Sequence, residues 1–404
     1  MSREERWLIA VTAGRWQKHG IREAKKAGIK ILAIDSDPNA EGFTEADQTL
    51  CMNFADHGLV IDALKKFNIV FSGAVSFCSE VGMMLAANIR EAFDLPGPRR
   101  ELCEKLLDKA VQRNIWKEKN VPGPSMYKLF HNASGTVEEL KKFDLPFIIK
   151  PIDSSGSRGV AKIESVTDDL VAVVTNAFRF STSGKIIAES YMDGTEFTVE
   201  VFVVTGKVYV LAVTEKKKVA GTRGTVAKEL ATPDRPKNSI QKIEQAVIDA
   251  FTALGYTDGP GHAEIILMKD DSVGVVEVAG RGGGFMVFDK LVPCASGINI
   301  ARLTALQAVG LPVEEIKIKT AAVVLRFFPS SPGVLQAISG FDAANLIKGV
   351  EAAPFVELGE RFDKAKADGD RLGYILSTAA TPAEAQQLAD EAESKIFFDI
   401  KDIQ

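Results

Sequence analysis

"GHAEIILMKDDSVGVVEVAGRGGG", residues 261–284, holds two short apolar runs that each carry one glutamate, Glu264 and Glu277. The runs His262–Met268 and Val273–Arg281 are β-branched and aliphatic, and Lys269–Ser272 between them are turn formers, which predicts a β-hairpin. A loop centred between Asp270 and Asp271 sets Glu264 opposite Glu277 and His262 opposite Ala279. Strict alternation then places His262, Glu264, Ile266, Val275, Glu277 and Arg281 on one face. Two carboxylates directly across a ladder repel each other. A divalent cation held between them is the simplest compensation; a salt bridge from Arg281 to Glu277 would leave Glu264 uncompensated.

The chain has 404 residues, long enough for two to four domains, with 46% apolar and 25% charged residues and a net charge of −5. The acidic balance argues against a nucleic-acid binder, whose footprint is a basic stripe. Apolar stretches are strand-sized, which argues against a membrane span, and the opening "MSREERWLIAV" lacks a signal-peptide core. Cys51, Cys78, Cys103 and Cys294 are scattered without a Cys-x-x-Cys pair, the pattern of packed thiols in a reducing cytoplasm.

The first hundred residues alternate strand and helix: "RWLIAVTAG" and "IKILAIDSDP" as strands, "GLVIDALKKF" as helix, "NIVFSGAVSF" as a third strand, "SEVGMMLAANIREAF" as helix. Such repeats build a parallel sheet with helices on its faces, whose ligands sit at the carboxyl ends of the strands, near Thr12–Arg15, Asp35–Asp37 and Phe77–Glu80. The first turn, "TAGRWQKHG", lacks G-x-G-x-x-G and so does not support dinucleotide binding. "LPGPRREL" marks a boundary. We expect an α/β domain over 1–98, a small α+β lobe over 99–185, a strand-rich lobe over 186–318 with a hairpin turn at Thr205–Gly206, and a C-terminal α+β region over 319–404. In that last region Thr381, Pro382 and Glu384 form a helix start with a capping box.

Several residues carry candidate chemistry. In "KPIDSSGSRGV", Lys150 ends an apolar strand, and the small residues of Asp153–Gly159 leave backbone N–H groups able to wrap an anion; the same stretch reads equally as a mobile hairpin loop. Lys109 in "LLDKAVQRN" reads first as a solvated helix lysine. Glu189 in "KIIAESYMDGTEF" suits either an adenine or ribose contact or a strand end in water. Glu196, Thr198 and Glu200 alternate on one face of the following strand. His262 sits beside the two glutamates, and Arg281 enters "GRGGG", where it suits charge building on a phosphoryl group.

In chain order these features resemble the ATP-grasp superfamily. The resemblance implies a Rossmann-like α/β pre-grasp domain, two α+β lobes gripping ATP, and a C-terminal accessory domain. It implies phosphate contacts from Lys109 and Lys150, and a closing loop containing Ser154, Ser155, Gly156, Ser157 and Gly159. It also implies an adenosine contact at Glu189 with Ile266 beside the nucleotide, magnesium (or manganese) on Glu264 and Glu277, and catalytic roles for Arg281 and His262. One position departs: the family usually has Asn two residues after the second glutamate, where this chain has Ala279. "GPGHAE" and the tail "VVLRFFPSSPGVLQAISG" resemble the carboxylate–amine ligase branch that includes bacterial L-amino-acid (dipeptide) ligases.

The branch implies an ATP-dependent ligase that activates a small carboxylate as an acyl phosphate and joins it to an amine, releasing ADP and phosphate. Its partners are then small carboxylate and amine substrates, with no nucleic acid or membrane; homodimers are common among similar enzymes. Thr214–Pro233 reads as a border of the substrate pocket or as an exposed basic loop. Two alternatives stand beside this reading: carbamoyl-phosphate synthase-like or purine-pathway ATP-grasp chemistry, and a degenerate ATP- or metabolite-binding protein without turnover.

Overall fold

The computed structural model describes residues 5–133, 135–154, 156–165, 169–220 and 226–401. Four parallel strands open the chain: β1 (Trp7–Val11), β2 (Lys30–Asp35), β3 (Gln48–Cys51) and β4 (Phe71–Val75), in the order β3-β2-β1-β4. Leu8, Ile9, Ala10, Ile31, Leu32, Ala33 and Ile34 are all fully buried, as parallel strands covered on both faces require. The short edge strand β3 is an addition to the sequence reading. Its four residues are largely exposed and carry no apolar alternation that would announce a strand.

A second, antiparallel sheet contains β5 (Tyr127–Phe130), β6 (Phe147–Pro151), β7 (Ala161–Ile163) and β8 (Ile186–Ser190), in the order β5-β8-β6-β7. The helix Lys109–Glu118 precedes it. Asp108 caps that helix by accepting from the N–H groups of Ala110 at 2.8 Å and Val111 at 3.0 Å, which sets Lys109 in its first turn.

The largest sheet has eight strands. Its elements are β9 (Gly194–Val204), β10 (Lys207–Lys218), β11 (Ala227–Ala231), β12 (Gly259–Met268), β13 (Val273–Ala279), β14 (Ala322–Pro329), then, after β15 (Gly333–Ser339), β16 (Val350–Pro354) and, after β17 (Arg361–Phe362), β18 (Arg371–Ala379). Their order is β13-β12-β9-β10-β11-β14-β18-β16, so one sheet runs from the opening hairpin into the C-terminal region. A small sheet, β17-β15-β19, ends the chain with β19 (Phe397–Lys401). The turn between β9 and β10 falls at Thr205 and Gly206, both at positive φ (51° and 79°), and Thr381, Pro382 and Glu384 make the expected capping box. Among the described residues no helix is long and apolar enough to cross a membrane.

The helix Lys237–Leu254 packs Ile243, Val247, Phe251 and Leu254 against Phe197, Val199 and Val201 of β9 and Ala263 and Ile265 of β12. That apolar face leaves the opposite side chains of the same strands pointing away from the helix, where the charged residues collect. The β12–β13 hairpin pairs Glu264 with Glu277 and His262 with Ala279 as the sequence requires, then slips: Ile265 faces Val275 and Ile266 faces Gly274. Val276 is the extra residue of a β-bulge. The bulge corrects one expectation: Val275 lies on the core face with Ile265, fully buried, rather than beside Glu264.

Gly73 of β4 shows how tightly the parallel sheet is seated, since a Cβ there would fall 2.0 Å from the carbonyl oxygen of Ala308. That carbonyl is backbone and cannot swing aside. Gly73→Ala is therefore expected to destabilise the protein by about 1–3 kcal/mol, read as a lower denaturation midpoint at unchanged far-UV signal.

Candidate active site

Three adjacent strands build a charged floor. Thr198 of β9 lies opposite Glu264 of β12, and Glu200 opposite His262. Lys216 of β10 reaches over β9, contacting Glu196 at 2.7 Å and Glu264 at 2.9 Å. Lys218 Nζ meets the other Glu196 oxygen at 2.5 Å. Burial alone would raise the Glu196 carboxyl, but Lys216 and Lys218 hold it down at about 2. Ile266 shares this half-buried side with His262 and Glu264 and pairs across the ladder with Glu196.

The small lobe supplies the opposing cations. Lys109 Nζ lies 3.0 Å from Glu277 Oε2 and donates to the carbonyl of Ser154 at 3.0 Å. The lysine read first as solvated is thus 8% exposed, because its helix start is pressed between the hairpin and the Gly/Ser loop. Lys150 Nζ lies 2.6 Å from Glu189 Oε2, and Arg113 Nε donates to Glu189 Oε1 at 2.7 Å. Arg113 also donates to the carbonyl of the bulged Val276, tying the small lobe to the hairpin. Burial lowers the Lys150 ammonium despite Glu189, whereas Glu277 and Glu80 outweigh burial and raise that of Lys109. Glu189 is 4% exposed, and its carboxylate is occupied by these two cations.

The Gly/Ser loop joins β6 to β7. Gly156, Ser157 and Gly159 all have positive φ (65°, 57° and 76°), and at Gly159 a Cβ would also come within 2.9 Å of Pro151. Ser154 is placed by the Lys109 contact; Ser155 lies outside the described residues, as do 221–225 of the Thr214–Pro233 segment.

Arg281 pairs with Glu80, beyond the carboxyl end of β4, rather than with Glu277. Its loop is fixed on both sides: Gly282 N–H donates to Phe77 O at 3.0 Å, and Gly283 N–H donates to Glu200 Oε2 at 3.0 Å. The other Glu200 oxygen contacts His262 Nδ1. The glycines serve close packing here. A Cβ on Gly282 would fall 2.0 Å from the Phe288 ring, and one on Gly283 would fall 2.7 Å from Glu200.

The like-charge pair that opened the sequence reading is therefore answered by lysines, Lys216 on Glu264 and Lys109 on Glu277. Both carboxylates also suit magnesium. Among the described residues no group of three or more His, Cys, Asp or Glu side chains could hold a metal ion. Two facing carboxylates fit an ion whose remaining ligands are phosphate oxygens and water, the usual coordination of magnesium in nucleotide sites. Sequence reasoning did not single out Arg113, Lys216 or Glu80 itself. Their signals were slight: a cation one turn after Lys109, a lysine in phase with Thr214, and an acid at a strand's carboxyl end.

Burial by itself raises the Glu277 carboxyl; Lys109, then Lys150, override it and hold it at about 2, below its ordinary 4.5. A depressed carboxyl contributes stability that is full above pH 4.5 and is lost as pH falls toward 2. Lys109→Met removes the largest stabilising charge. The acid-unfolding midpoint is expected to move to higher pH in that variant, measured by circular dichroism between pH 2 and 5.

Comparison with known proteins bears on the fold and on two regions of the chain. Residues 143–289 match the ATP-grasp domain, and residues 326–401 match the L-amino acid ligase C-terminal domain 2. The structure superposes on that of an L-amino acid ligase from Bacillus licheniformis with TM-score 0.84 at 21% identity, covering 99% of this chain and 100% of that one. An uncharacterised protein of Sinorhizobium fredii is 26% identical over 347 residues, 83% of this chain and 69% of its own length. A phosphoribosylamine–glycine ligase of Pyrococcus horikoshii is 26% identical over 204 residues, 48% of this chain and 45% of that ligase, so the match spans less than half of it. The fold and the two matched regions lead to one assignment: residues 143–289 form an ATP-grasp domain and residues 326–401 a C-terminal domain of the L-amino acid ligase type, within a fold shared with ATP-dependent ligases.

Proposed function

We propose that the protein is an ATP-dependent carboxylate–amine ligase, acting in the cytoplasm on a small carboxylate and an amine. The observation that carries this reading is the convergence of Lys109, Glu277 and Glu264 on one side of the hairpin, with Lys150 behind Glu189 and Arg281 at the hairpin's end. Lys109 and Lys150 would neutralise phosphate oxygens, and the Gly/Ser loop would supply backbone N–H donors. Glu264 and Glu277 would hold Mg2+, whose charge would offset negative charge building on the phosphates. Arg281, fixed by Glu80, would stabilise negative charge on the phosphoryl group and on the acyl phosphate formed from the substrate carboxylate. His262, held by Glu200, would border the acyl group.

The chemistry explains the need for ATP. A carboxylate resists attack by an amine; as an acyl phosphate it carries a good leaving group, and amide formation releases phosphate. With Ala279 at the family's usual asparagine position, a water would take the place of that ligand. A second reading, a purine-pathway type of ligation, is favoured by the glycine-ligase relative. It shares the same activation step and differs in the amine.

The test is release of ADP and phosphate from Mg-ATP across a panel of amino acids and other small carboxylates, alone and paired with amines. Turnover that depends on one acid–amine pair, with the amide identified by mass, is expected; failure to bind Mg-ATP overturns the reading. Lys150→Ala, Glu277→Gln and Arg281→Met are each expected to lower kcat by about 10²–10³-fold, on the scale of removing one group that stabilises transition-state charge.

A further inference from the structure

Glu264 and Glu277 face each other across the hairpin ladder, and each already holds an ammonium group, Lys216 at 2.9 Å and Lys109 at 3.0 Å. None of the four side chains is more than 24% exposed. Charges this far from bulk water are weakly screened, so what stands beside a carboxylate decides what else it can bind.

Both lysines are fixed where they stand. Lys216 comes from β10 and crosses β9 to reach β12, sharing its ammonium between Glu196 at 2.7 Å and Glu264. Glu196 does not draw it away, because Lys218 takes the other Glu196 oxygen at 2.5 Å. Lys109 also donates to the Ser154 carbonyl at 3.0 Å, and Asp108 caps the helix start that carries it.

The surrounding acids offer neither lysine another seat. Glu189 is closed in by Arg113 and Lys150, Glu80 by Arg281, and Glu200 by His262 and the Gly283 N–H. A divalent cation between Glu264 and Glu277 would therefore meet two ammonium groups along with the two carboxylates, and the pair's charge is already matched before it arrives. The protein cannot outnumber the lysines with further ligands: among the described residues no three His, Cys, Asp or Glu side chains converge to hold a metal ion. A polyphosphate reverses the balance. Its oxygens can accept from the lysines and complete the ion's oxygen-rich coordination at once.

We infer that Lys216 and Lys109 are exchangeable counter-ions that close the Glu264–Glu277 pair to a free divalent cation and open it to one delivered with a polyphosphate. The inference rests on the ATP-dependent ligase reading and deepens it. Lys216 becomes a residue that determines the form in which the metal is accepted, and binding has an order: the metal enters with the nucleotide or after it, never ahead of it.

Titration of the full chain with Mn2+, followed by loss of the free-ion electron paramagnetic resonance signal, tests this with and without the non-hydrolysable nucleotide AMPPNP. Wild type is expected to take up Mn2+ saturably with AMPPNP and to show no saturable uptake of Mn2+ alone over the same range. Lys216→Met, checked by its melting curve, is expected to bind Mn2+ alone about tenfold or more tightly than wild type. Lys218→Met removes the same charge but leaves the Glu264 contact in place, and is expected to match wild type. Lys109→Met frees the other carboxylate and repeats the test independently, with the same gain expected. Wild-type binding of Mn2+ alone as tight as with AMPPNP, no gain in either the Lys216 or the Lys109 variant, or an equal gain in Lys218→Met each overturns the inference. Failure of wild type to take up Mn2+ even with AMPPNP, while Lys216→Met gains affinity for Mn2+ alone, removes the ligase reading and leaves the exclusion by lysine standing.

Discussion

Glu189 is closed in by two cations, Arg113 on one oxygen and Lys150 on the other, with all three side chains nearly inaccessible. A charge taken this far from water needs partners of opposite sign, and removing one leaves the others stranded. This triad joins the helix that starts at Lys109, the small-lobe strands β6 and β8, and, through the Val276 carbonyl, the β12–β13 hairpin. The groups proposed to meet phosphate are positioned by electrostatic necessity. Lys109, one turn before Arg113, is carried to Glu277 by the same seating.

The same rule organises the rest of the site. Each proposed metal-binding carboxylate has a lysine, and each of these lysines has another acceptor: Glu196 for Lys216, the Ser154 carbonyl for Lys109. Arg281 and His262 each rest on a glutamate of another strand or loop. Such a lattice holds its geometry through paired charges and small residues packed at van der Waals limits, as at Gly282 and Gly283. Preorganised charge of this kind is what stabilises a transition state without reorganisation at the moment of reaction.

What was legible in the sequence was local. The Glu264–Glu277 register followed from turn residues and alternation, as did the Thr205–Gly206 turn and the Thr381 cap. The Val276 bulge was not legible, because Val275 and Val276 are the same residue type and either reads equally well as the core-facing side chain. Edge strand β3 was too short and too exposed to leave a pattern. The partners of the site residues were hidden for another reason. Arg281 and Glu80 are 201 positions apart, and Lys216 reaches Glu264 only because β9 lies between β10 and β12. Sheet order is a property of the whole chain, so a reading by segments could name candidate residues and still miss what holds them.

The eight-stranded sheet has a consequence for modularity. β14, β18 and β16 belong to the C-terminal region but extend the strand order that begins at the hairpin, and β14 pairs directly with β11. Arg326 of β14 binds Glu229 of β11, and both are buried. Cutting the chain before residue 322 would expose the β11 edge as a row of unpaired backbone groups beside a buried acid stripped of its arginine. The C-terminal region therefore cannot be exchanged as a bead on a string. Any recombinant that grafts another such region onto this scaffold must preserve a strand interface, and a mismatch there would surface as misassembly of the whole sheet, charged floor included.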